Sequence, residues 1–214
     1  KLEEVAKIEA RKEEFPELQL QVEPRRYYPF GATAAHVLGY LQEVSPEEMK
    51  NNSHRKWRGG EMIGKAAVEK QYDDYLMGQD GQLIETIDSL GRSLGEVNRI
   101  EPVKGQDLVL SIDLDLQKRA EELLQGKEGA IVVLDPRSGE CLVWASSPSY
   151  DPNRFITRFS PEEWLSIISD RARPLENRVI RGLYSPGSIF KMVTALTSLE
   201  TGLISDRTSF FCSG

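Results

Sequence analysis

The 214 residues suffice for one large domain or two small ones, and their 39% hydrophobic and 29% charged content excludes a wholly disordered chain. The net charge of −7, with acidic and basic residues mixed along the sequence, argues against a nucleic-acid-binding protein, which needs a basic stripe. No stretch approaches the ~18 apolar residues of a membrane span. The sequence opens on Lys1, with no initiator Met and no signal peptide. We therefore expect a soluble piece from which an upstream anchor could have been removed.

The first half of the sequence carries the patterns of a small mixed unit of helices and strands. Apolar residues alternate at Leu18, Leu20 and Val22, as in a half-buried strand, and Pro46 after Ser45 is typical of a helix start. In chain order, the predicted elements are a solvated helix within 1–15, a strand over 18–22, a helix from Pro46, an amphipathic helix over 64–77, a strand over 82–87 and a turn over 88–95.

A boundary between two units is predicted at 102–106, after which the pattern changes. Beyond it the predicted elements are a strand over 107–112, a helix over 116–124 closed by Gly126, and a hairpin with strands over 130–135 and 141–145. The hairpin turn is Pro136-Arg137-Ser138-Gly139, which has suitable turn chemistry. Since both hairpin strands are apolar nearly throughout, we expect them in the middle of a covered sheet.

Ser188 and Lys191 form the most specific chemical pattern in the chain. A serine hydroxyl is a poor nucleophile until a nearby base takes its proton, and a lysine is such a base when burial lowers its pKa. Ser-x-x-Lys on a helix puts the two side chains on one face. Pro186-Gly187 places Ser188 at the helix start, where the helix dipole favours negative charge. The rest of this helix is apolar on most faces, so we expect it to be buried.

The spacing of Ser188 and Lys191 proves little by itself. About one Ser-x-x-Lys arises by chance in a chain of this length. Ser53-His54-Arg55-Lys56 matches as well, but it lies in a polar segment with no apolar helix to desolvate its lysine. A non-catalytic interpretation of Ser188 and Lys191 is a helix N-cap serine followed by a lysine that reaches to solvent. The local pattern leaves both interpretations open.

The segments around this pattern resemble, in order, those of the class B penicillin-binding proteins, specifically the elongation type called penicillin-binding protein 2. Ser188 to Lys191 matches the Ser-x-x-Lys nucleophile motif of penicillin-binding proteins. The other segments that carry the resemblance are 26–29 with 35–40, 63–69, 76–81, 135–139 and 147–153. The resemblance covers essentially the whole chain, and it favours the catalytic interpretation of Ser188.

This resemblance implies an α+β fold. A small mixed, non-catalytic and dimerisation-like pedestal domain would occupy 1–101. The N-terminal part of a transpeptidase domain like that of penicillin-binding proteins and serine β-lactamases, with helices packed on an antiparallel sheet, would occupy 102–214. The boundary between the two lies at the segment where the sequence pattern changes.

The activity implied by the resemblance is that of a serine-type peptidoglycan D,D-transpeptidase of cell-wall elongation, with Ser188 as the acyl-forming nucleophile and Lys191 as its base. The Ser188 N–H would be an oxyanion-hole donor. No metal or organic cofactor is needed for this chemistry. The implied partners are stem peptides, β-lactams and, through the pedestal, a RodA-type glycosyltransferase and scaffold proteins of the elongation complex. The implied location is the periplasmic face of the inner membrane.

The sequence departs from the family pattern after the nucleophile. The family completes its site with downstream Ser-x-Asn and Lys-Thr-Gly motifs, and neither follows Lys191 before the last residue, Gly214. We therefore expect this chain by itself to be inactive unless another chain or a later segment supplies them.

The remaining candidates have simpler interpretations. A lone His36 between apolar neighbours is expected to be packed and hydrogen-bonded, and His54 to be solvated. Cys141 and Cys212 could pair or stay free, and a zinc site at Cys212 lacks the further ligands that zinc requires. The three tryptophans are most simply core or interface aromatics: Trp57, Trp144 and Trp164.

Three alternatives to an elongation transpeptidase remain. A division-type relative would share the pedestal and the nucleophile, and the elongation type is favoured chiefly by the segment 147–153. An interaction module would use residues 1–100 to dock a glycosyltransferase. A β-lactam sensor or β-lactamase would not be expected to carry the pedestal segments, 26–40 and 64–81.

Overall fold

The computed structural model describes residues 2–11, 14, 25–51, 57, 59–89 and 93–211. The helices are α1 (Leu2–Glu9), α2 (Ala35–Leu38), α3 (Pro46–Asn51), α4 (Ala67–Gln71), α5 (Asp73–Leu76), α6 (Leu114–Leu124), α7 (Pro161–Ser169), α8 (Arg178–Arg181) and α9 (Phe190–Glu200). The strands are β1 (Leu41–Glu43), β2 (Met62–Gly64), β3 (Gln82–Ile87), β4 (Ser93–Ile100), β5 (Gly129–Leu134) and β6 (Cys141–Ser147). The 3₁₀ turns are Pro152–Ile156 and Gly187–Ile189. The predicted strand over 18–22 and the second Ser-x-x-Lys match at Ser53 lie outside the described residues.

Three antiparallel strand pairs organise the described residues: β1 with β2, β3 with β4, and β5 with β6. The α+β fold class expected from the sequence is therefore confirmed. Within the same residues, no helix combines the length and the apolar character needed to span a bilayer.

The amphipathic helix predicted over 64–77 is wrong in its extent. Gly64 instead pairs with Leu41 at the end of β2, and a side chain at Gly64 would collide with the Glu69 carbonyl. The helix then begins at Ala67 and breaks at Tyr72, so that α4 and α5 are two short helices. The Gly64 N–H donates to the Asp73 carboxylate at 2.8 Å, which fixes the end of β2 against the start of α5.

The hairpin of β3 and β4 is only partly predicted by the sequence. The strand over 82–87 is confirmed, but the turn after it is shorter than predicted because β4 already begins at Ser93. Every residue of both strands is exposed. The prediction of a strand over 107–112 is wrong. The segment is joined to β6 by one backbone hydrogen bond, from the Asp113 N–H to the Leu142 carbonyl, and by a hydrogen bond from the Ser111 hydroxyl. One such bond does not make a ladder.

The core of the second half lies between α6 and the β5–β6 hairpin. The Asp113 carboxylate caps α6 by accepting hydrogen bonds from the backbone N–H groups of Asp115 and Leu116, at 3.0 Å each. The cluster packed beneath the helix is Ala120, Leu124, Val143 and Ala145. The predicted helix and hairpin are confirmed, but a sheet covered on both sides is wrong. The end of β5 is exposed, with Leu134 at 57%, because α6 and α8 pack on the hairpin and no further strand pairs with β5 among the described residues.

Residues 28–44 form the junction between the two halves, and their backbone is held by side chains of the second half. The Asn153 side chain accepts from the Tyr28 N–H at 2.9 Å and donates to the Tyr28 carbonyl at 2.8 Å. The Glu121 carboxylate accepts from the Ala34 N–H at 2.8 Å, and the Tyr150 hydroxyl donates to the Ala35 carbonyl at 3.1 Å. These bonds satisfy backbone groups that a short, irregular segment cannot pair internally.

Candidate active site

Ser188 lies in the 3₁₀ turn Gly187–Ile189, which runs directly into α9. Gly187 has φ +56, in the left-handed region that favours glycine, and Pro186 before it is already helical. The Phe190 N–H closes the turn on the Gly187 carbonyl. The predicted place of Ser188 at a helix start is therefore confirmed. Lys191 follows within the first turn of α9.

Ser188 and Lys191 are adjacent along one turn but do not form a hydrogen-bonded pair among the described residues, and both are exposed. The turn that contains Ser188 has no side-chain cap, and neither does α9, so the interpretation of Ser188 as an N-cap residue finds no support. An exposed Lys191 agrees with a lysine that reaches to solvent. The structure therefore places Lys191 one turn after Ser188 but shows no hydrogen bond between their side chains.

The burial expected for α9 is wrong for this chain. Met192 is 68% and Leu196 60% exposed, and no other helix or strand of the described residues packs substantially on α9. An apolar helix is buried only when another element covers it, and the described fold provides none for α9. The low-dielectric surroundings that a lysine base needs are therefore not formed by these residues alone.

The segment before Ser188 is attached to the fold at α8, where Asn177 and Arg178 bind both halves of the chain. The Asn177 amide donates to the His36 carbonyl at 3.1 Å and accepts from the Trp144 indole N–H at 3.2 Å. The Arg178 N–H donates to the Ser146 hydroxyl at 3.0 Å. Sequence reasoning missed these contacts of Asn177 and Arg178, because His36, Trp144 and Ser146 lie 32 to 141 residues away from them.

Arg178 is a buried cation, only 7% exposed, that ties three segments together. Its guanidinium donates to the Ala172 carbonyl at 2.7 Å and the Arg173 carbonyl at 3.2 Å, and it pairs with Glu128 at 3.3 Å. A buried charge is tolerated when it is paired and hydrogen-bonded in this way. Arg178 therefore fixes α8 against the loop before it and against the start of β5.

His36 is packed in the junction, as the sequence predicts. It is 5% exposed, its Nε2 lies 3.3 Å from the Pro148 carbonyl, and its ring meets the Tyr150 ring edge-on at 5.1 Å. Burial lowers the pKa of His36, so the ring is neutral at neutral pH. His36 therefore has a structural role in the junction.

A buried carboxylate, Glu69, forms a second polar cluster in the first half. It accepts from the Tyr28 hydroxyl at 2.9 Å and forms an ion pair with Arg26 at 3.0 Å. Burial and the Glu69 charge raise the pKa of Tyr28. The segments 26–29 and 63–69, quoted above for the resemblance, thus meet in space, although the sequence analysis assigned no role to Glu69.

The remaining residues that the sequence singled out are cysteines, tryptophans and His54. Cys141 is a free thiol whose Sγ lies 3.3 Å from the Val143 carbonyl, while Cys212 and His54 lie outside the described residues. The part of the chain that is described contains no group of three or more potential metal ligands. Trp144 is half-buried in the core beside Asn177, and the Trp164 ring lies 5.7 Å from the Phe159 ring.

Two family models match this chain. The penicillin-binding protein dimerisation domain matches residues 1–110, and the penicillin-binding protein transpeptidase domain matches residues 129–214. The second match contains both Ser188 and Lys191.

Curated relatives are similar to this chain over most of its length. The peptidoglycan D,D-transpeptidase MrdA of Acinetobacter baumannii is 38% identical over 94% of this chain and 30% of its own length. The protein of the same name from Escherichia coli K12 is 34% identical over 99% of this chain and 34% of its own length. The chain thus spans about a third of the length of these relatives.

Two solved structures resemble the fold described above. A complex between a penicillin-binding protein (PBP2) and MreC from Helicobacter pylori matches with a TM-score of 0.77 at 34% identity, over 95% of this chain and 38% of that one. A Pseudomonas aeruginosa PBP2 in complex with WCK 5153 matches with a TM-score of 0.72 at 37% identity, over 86% of this chain and 37% of that one.

Proposed function

Because the chain belongs to the class B penicillin-binding proteins of the penicillin-binding protein 2 type, we propose that it forms part of a peptidoglycan D,D-transpeptidase that cross-links stem peptides during cell-wall elongation. The observation that carries the proposal is the place of Ser188. It lies on a glycine-initiated turn at the start of α9, one turn before Lys191, inside the match to the transpeptidase domain.

The proposed reaction is acyl transfer through Ser188. The Ser188 Oγ attacks the carbonyl carbon of the D-Ala-D-Ala bond while Lys191 takes the hydroxyl proton. The carbon–nitrogen bond then breaks, the proton goes to the departing D-Ala amine, and the Ser188 N–H stabilises the negative oxygen. An amine of a neighbouring stem attacks the resulting ester, which forms the cross-link and restores the Ser188 hydroxyl. A β-lactam would acylate the same oxygen and remain bound.

In this proposal, residues 1–101 form a pedestal domain and residues 102–214 form the first part of the catalytic domain. The pedestal would dock a RodA-type glycosyltransferase and a scaffold protein of the elongation complex at the periplasmic face of the inner membrane. Two observations support a docking role: both strands of the β3–β4 hairpin are exposed, with Ile84 at 50% and Val97 at 66%, and a relative from H. pylori was solved with MreC.

We further propose that this chain alone does not complete the reaction. Its α9 presents an apolar surface on which no other helix or strand of the described residues packs substantially, so the desolvated surroundings that a lysine base needs are not complete. The family's Ser-x-Asn and Lys-Thr-Gly motifs, which follow the nucleophile, would supply the opposite wall of the site.

Labelling with a fluorescent penicillin tests both proposals. We expect a full-length protein that carries this chain to be labelled and to hold the label for a long time, whereas its Ser188→Ala variant and the 214-residue chain alone are not labelled. Rapid loss of the label would instead indicate a β-lactamase, and an unlabelled full-length protein would indicate a docking module. Turnover by the chain alone would refute the proposed incompleteness.

A further inference from the structure

Helix α8 is the last element before Ser188 that packs substantially on the described fold. Five residues, 182–186, connect α8 to the turn that contains Ser188, and none of them lies in a helix or strand. By contrast, α8 packs on both β5 and β6. Within the residues the structure describes, whatever orients α8 therefore sets where the nucleophile segment leaves the fold.

The Asn177 side chain is the direct link between α8 and the two halves of the chain. Its Nδ2 donates to the His36 carbonyl of the junction, 141 residues away, and its Oδ1 accepts from the indole N–H of Trp144 in β6. The amide orientation is fixed by its partners, because a carbonyl only accepts and an indole N–H only donates. A side chain with one donor and one acceptor is therefore required at this position.

The backbone of Asn177 starts α8. Its carbonyl accepts from the Ile180 N–H at 3.1 Å and the Arg181 N–H at 2.9 Å. Arg178, next along the chain, is held to the Ser146 hydroxyl, and the same hydroxyl donates to the Glu176 carbonyl at 3.2 Å. The start of α8 is thus clamped on both sides of Asn177, and the amide adds the connection to the junction.

We propose that Asn177 is a positioning residue for the acylation of Ser188: by bridging the His36 carbonyl and the Trp144 indole it fixes the direction in which α8 delivers the nucleophile segment. This inference rests on the proposed acyl-transfer function. Asn177 does not touch the reacting atoms. Its effect is on how often Ser188 occupies the geometry from which it can attack, and a displacement of about 1 Å costs on the order of 100-fold in rate.

The test compares acylation kinetics in a full-length protein that carries this chain, with a fluorescent penicillin as the substrate. The limiting acylation rate is separated from the half-saturating penicillin concentration, and the melting temperature of each variant is recorded. The variants are Asn177→Ala, Asn177→Asp and Trp144→Phe, and the matched control is Asn153→Ala. Asn153 also makes two hydrogen bonds across the junction, but to Tyr28 and not to the segment that leads to Ser188.

We expect Asn177→Ala to lower the limiting acylation rate by about 10- to 100-fold while the half-saturating concentration stays within about twofold. Trp144→Phe loses only the indole donor, so it gives a smaller loss. Asn177→Asp keeps the acceptor for Trp144 but sets a carboxylate oxygen against the His36 carbonyl, so its loss is at least as large as that of Asn177→Ala. The double variant Asn177→Ala with Trp144→Phe should be no slower than Asn177→Ala alone, because the two residues act through one contact. The control should melt earlier but acylate within about twofold of the unmodified protein.

Three outcomes would overturn the proposal. One is an Asn177→Ala protein that acylates at the unmodified rate. Another is a control that slows acylation as much as Asn177→Ala does at an equal loss of melting temperature, which would indicate a merely structural role. If Asn177→Ala does not fold, unchanged acylation by both Asn177→Asp and Trp144→Phe has the same meaning. An unmodified protein that never acylates overturns the proposed function, and this inference with it.

Discussion

The junction between the two halves gives the sharpest stability prediction, because one side chain carries two of its hydrogen bonds. Asn153→Ala removes the bonds to the Tyr28 N–H at 2.9 Å and to the Tyr28 carbonyl at 2.8 Å. Each neutral hydrogen bond contributes about 1 kcal/mol, so the two contribute about 2 kcal/mol. Tyr28 is only 5% exposed, so water replaces them poorly and the loss is not expected to be smaller.

A loss of about 2 kcal/mol corresponds to a fall in melting temperature of about 4–8 °C for a protein of this size. Circular dichroism during heating of the 214-residue chain measures it. The matched control is Asn98→Ala in the exposed strand β4, which should change the free energy of unfolding by no more than about 0.5 kcal/mol. A melting temperature for Asn153→Ala within about 1 °C of the Asn98→Ala value would refute the reasoning that this contact holds the two halves together.

The remaining predictions concern the site, the pH dependence and the docking surface. Lys191→Ala should slow acylation of Ser188 in the full-length protein by about 10²- to 10⁴-fold, and it should leave the melting temperature of the 214-residue chain, in which Lys191 is exposed, unchanged; equal acylation rates would exclude Lys191 as the base. Although desolvation opposes it, hydrogen bonds from Lys65 and Ser45 lower the pKa of Glu48 to about 2. The stabilisation from ionised Glu48 is thus complete above its ordinary pKa of 4.5 and is lost as the pH falls from there through about 2. Glu48→Gln should accordingly melt earlier than the unmodified chain at pH 7 and together with it near pH 2, and equal melting at pH 7 would contradict this. Ile84→Asp on the exposed hairpin should weaken binding of an elongation scaffold protein by about tenfold or more while β-lactam acylation is unchanged, and unaltered binding would place the docking surface elsewhere.

Elements with a complete local signal were predictable from the sequence. The helix α6 has an Asp113 cap, a periodic apolar face and a closing glycine, and the β5–β6 hairpin has two apolar runs around a turn. The helix over 64–77 failed because β-pairing of Gly64 and the Asp73 carboxylate override the helical pattern locally. The strand β4 was missed because its residues are exposed and show no clear alternation.

The residues of the candidate site were likewise only partly predictable from the sequence. Ser188 and Lys191 were found because their signal lies within four residues and their segment resembles a known motif. Asn153 and Asn177 were missed because their partners lie 125 and 141 residues away, and nothing local distinguishes a bridging asparagine from a solvated one. The exposure of α9 could not be predicted either, since an apolar helix indicates that a covering element is needed but not which part of a protein supplies it.

Peptide mapping of a β-lactam adduct tests the central claim most directly. A full-length protein that carries this chain is treated with a β-lactam, digested and analysed by mass spectrometry. We predict a single acyl adduct on the peptide that contains Ser188, and no adduct on that peptide in the Ser188→Ala variant. An adduct on another residue, Ser53 included, or an adduct that persists in the Ser188→Ala variant, would contradict the assignment of Ser188 as the nucleophile.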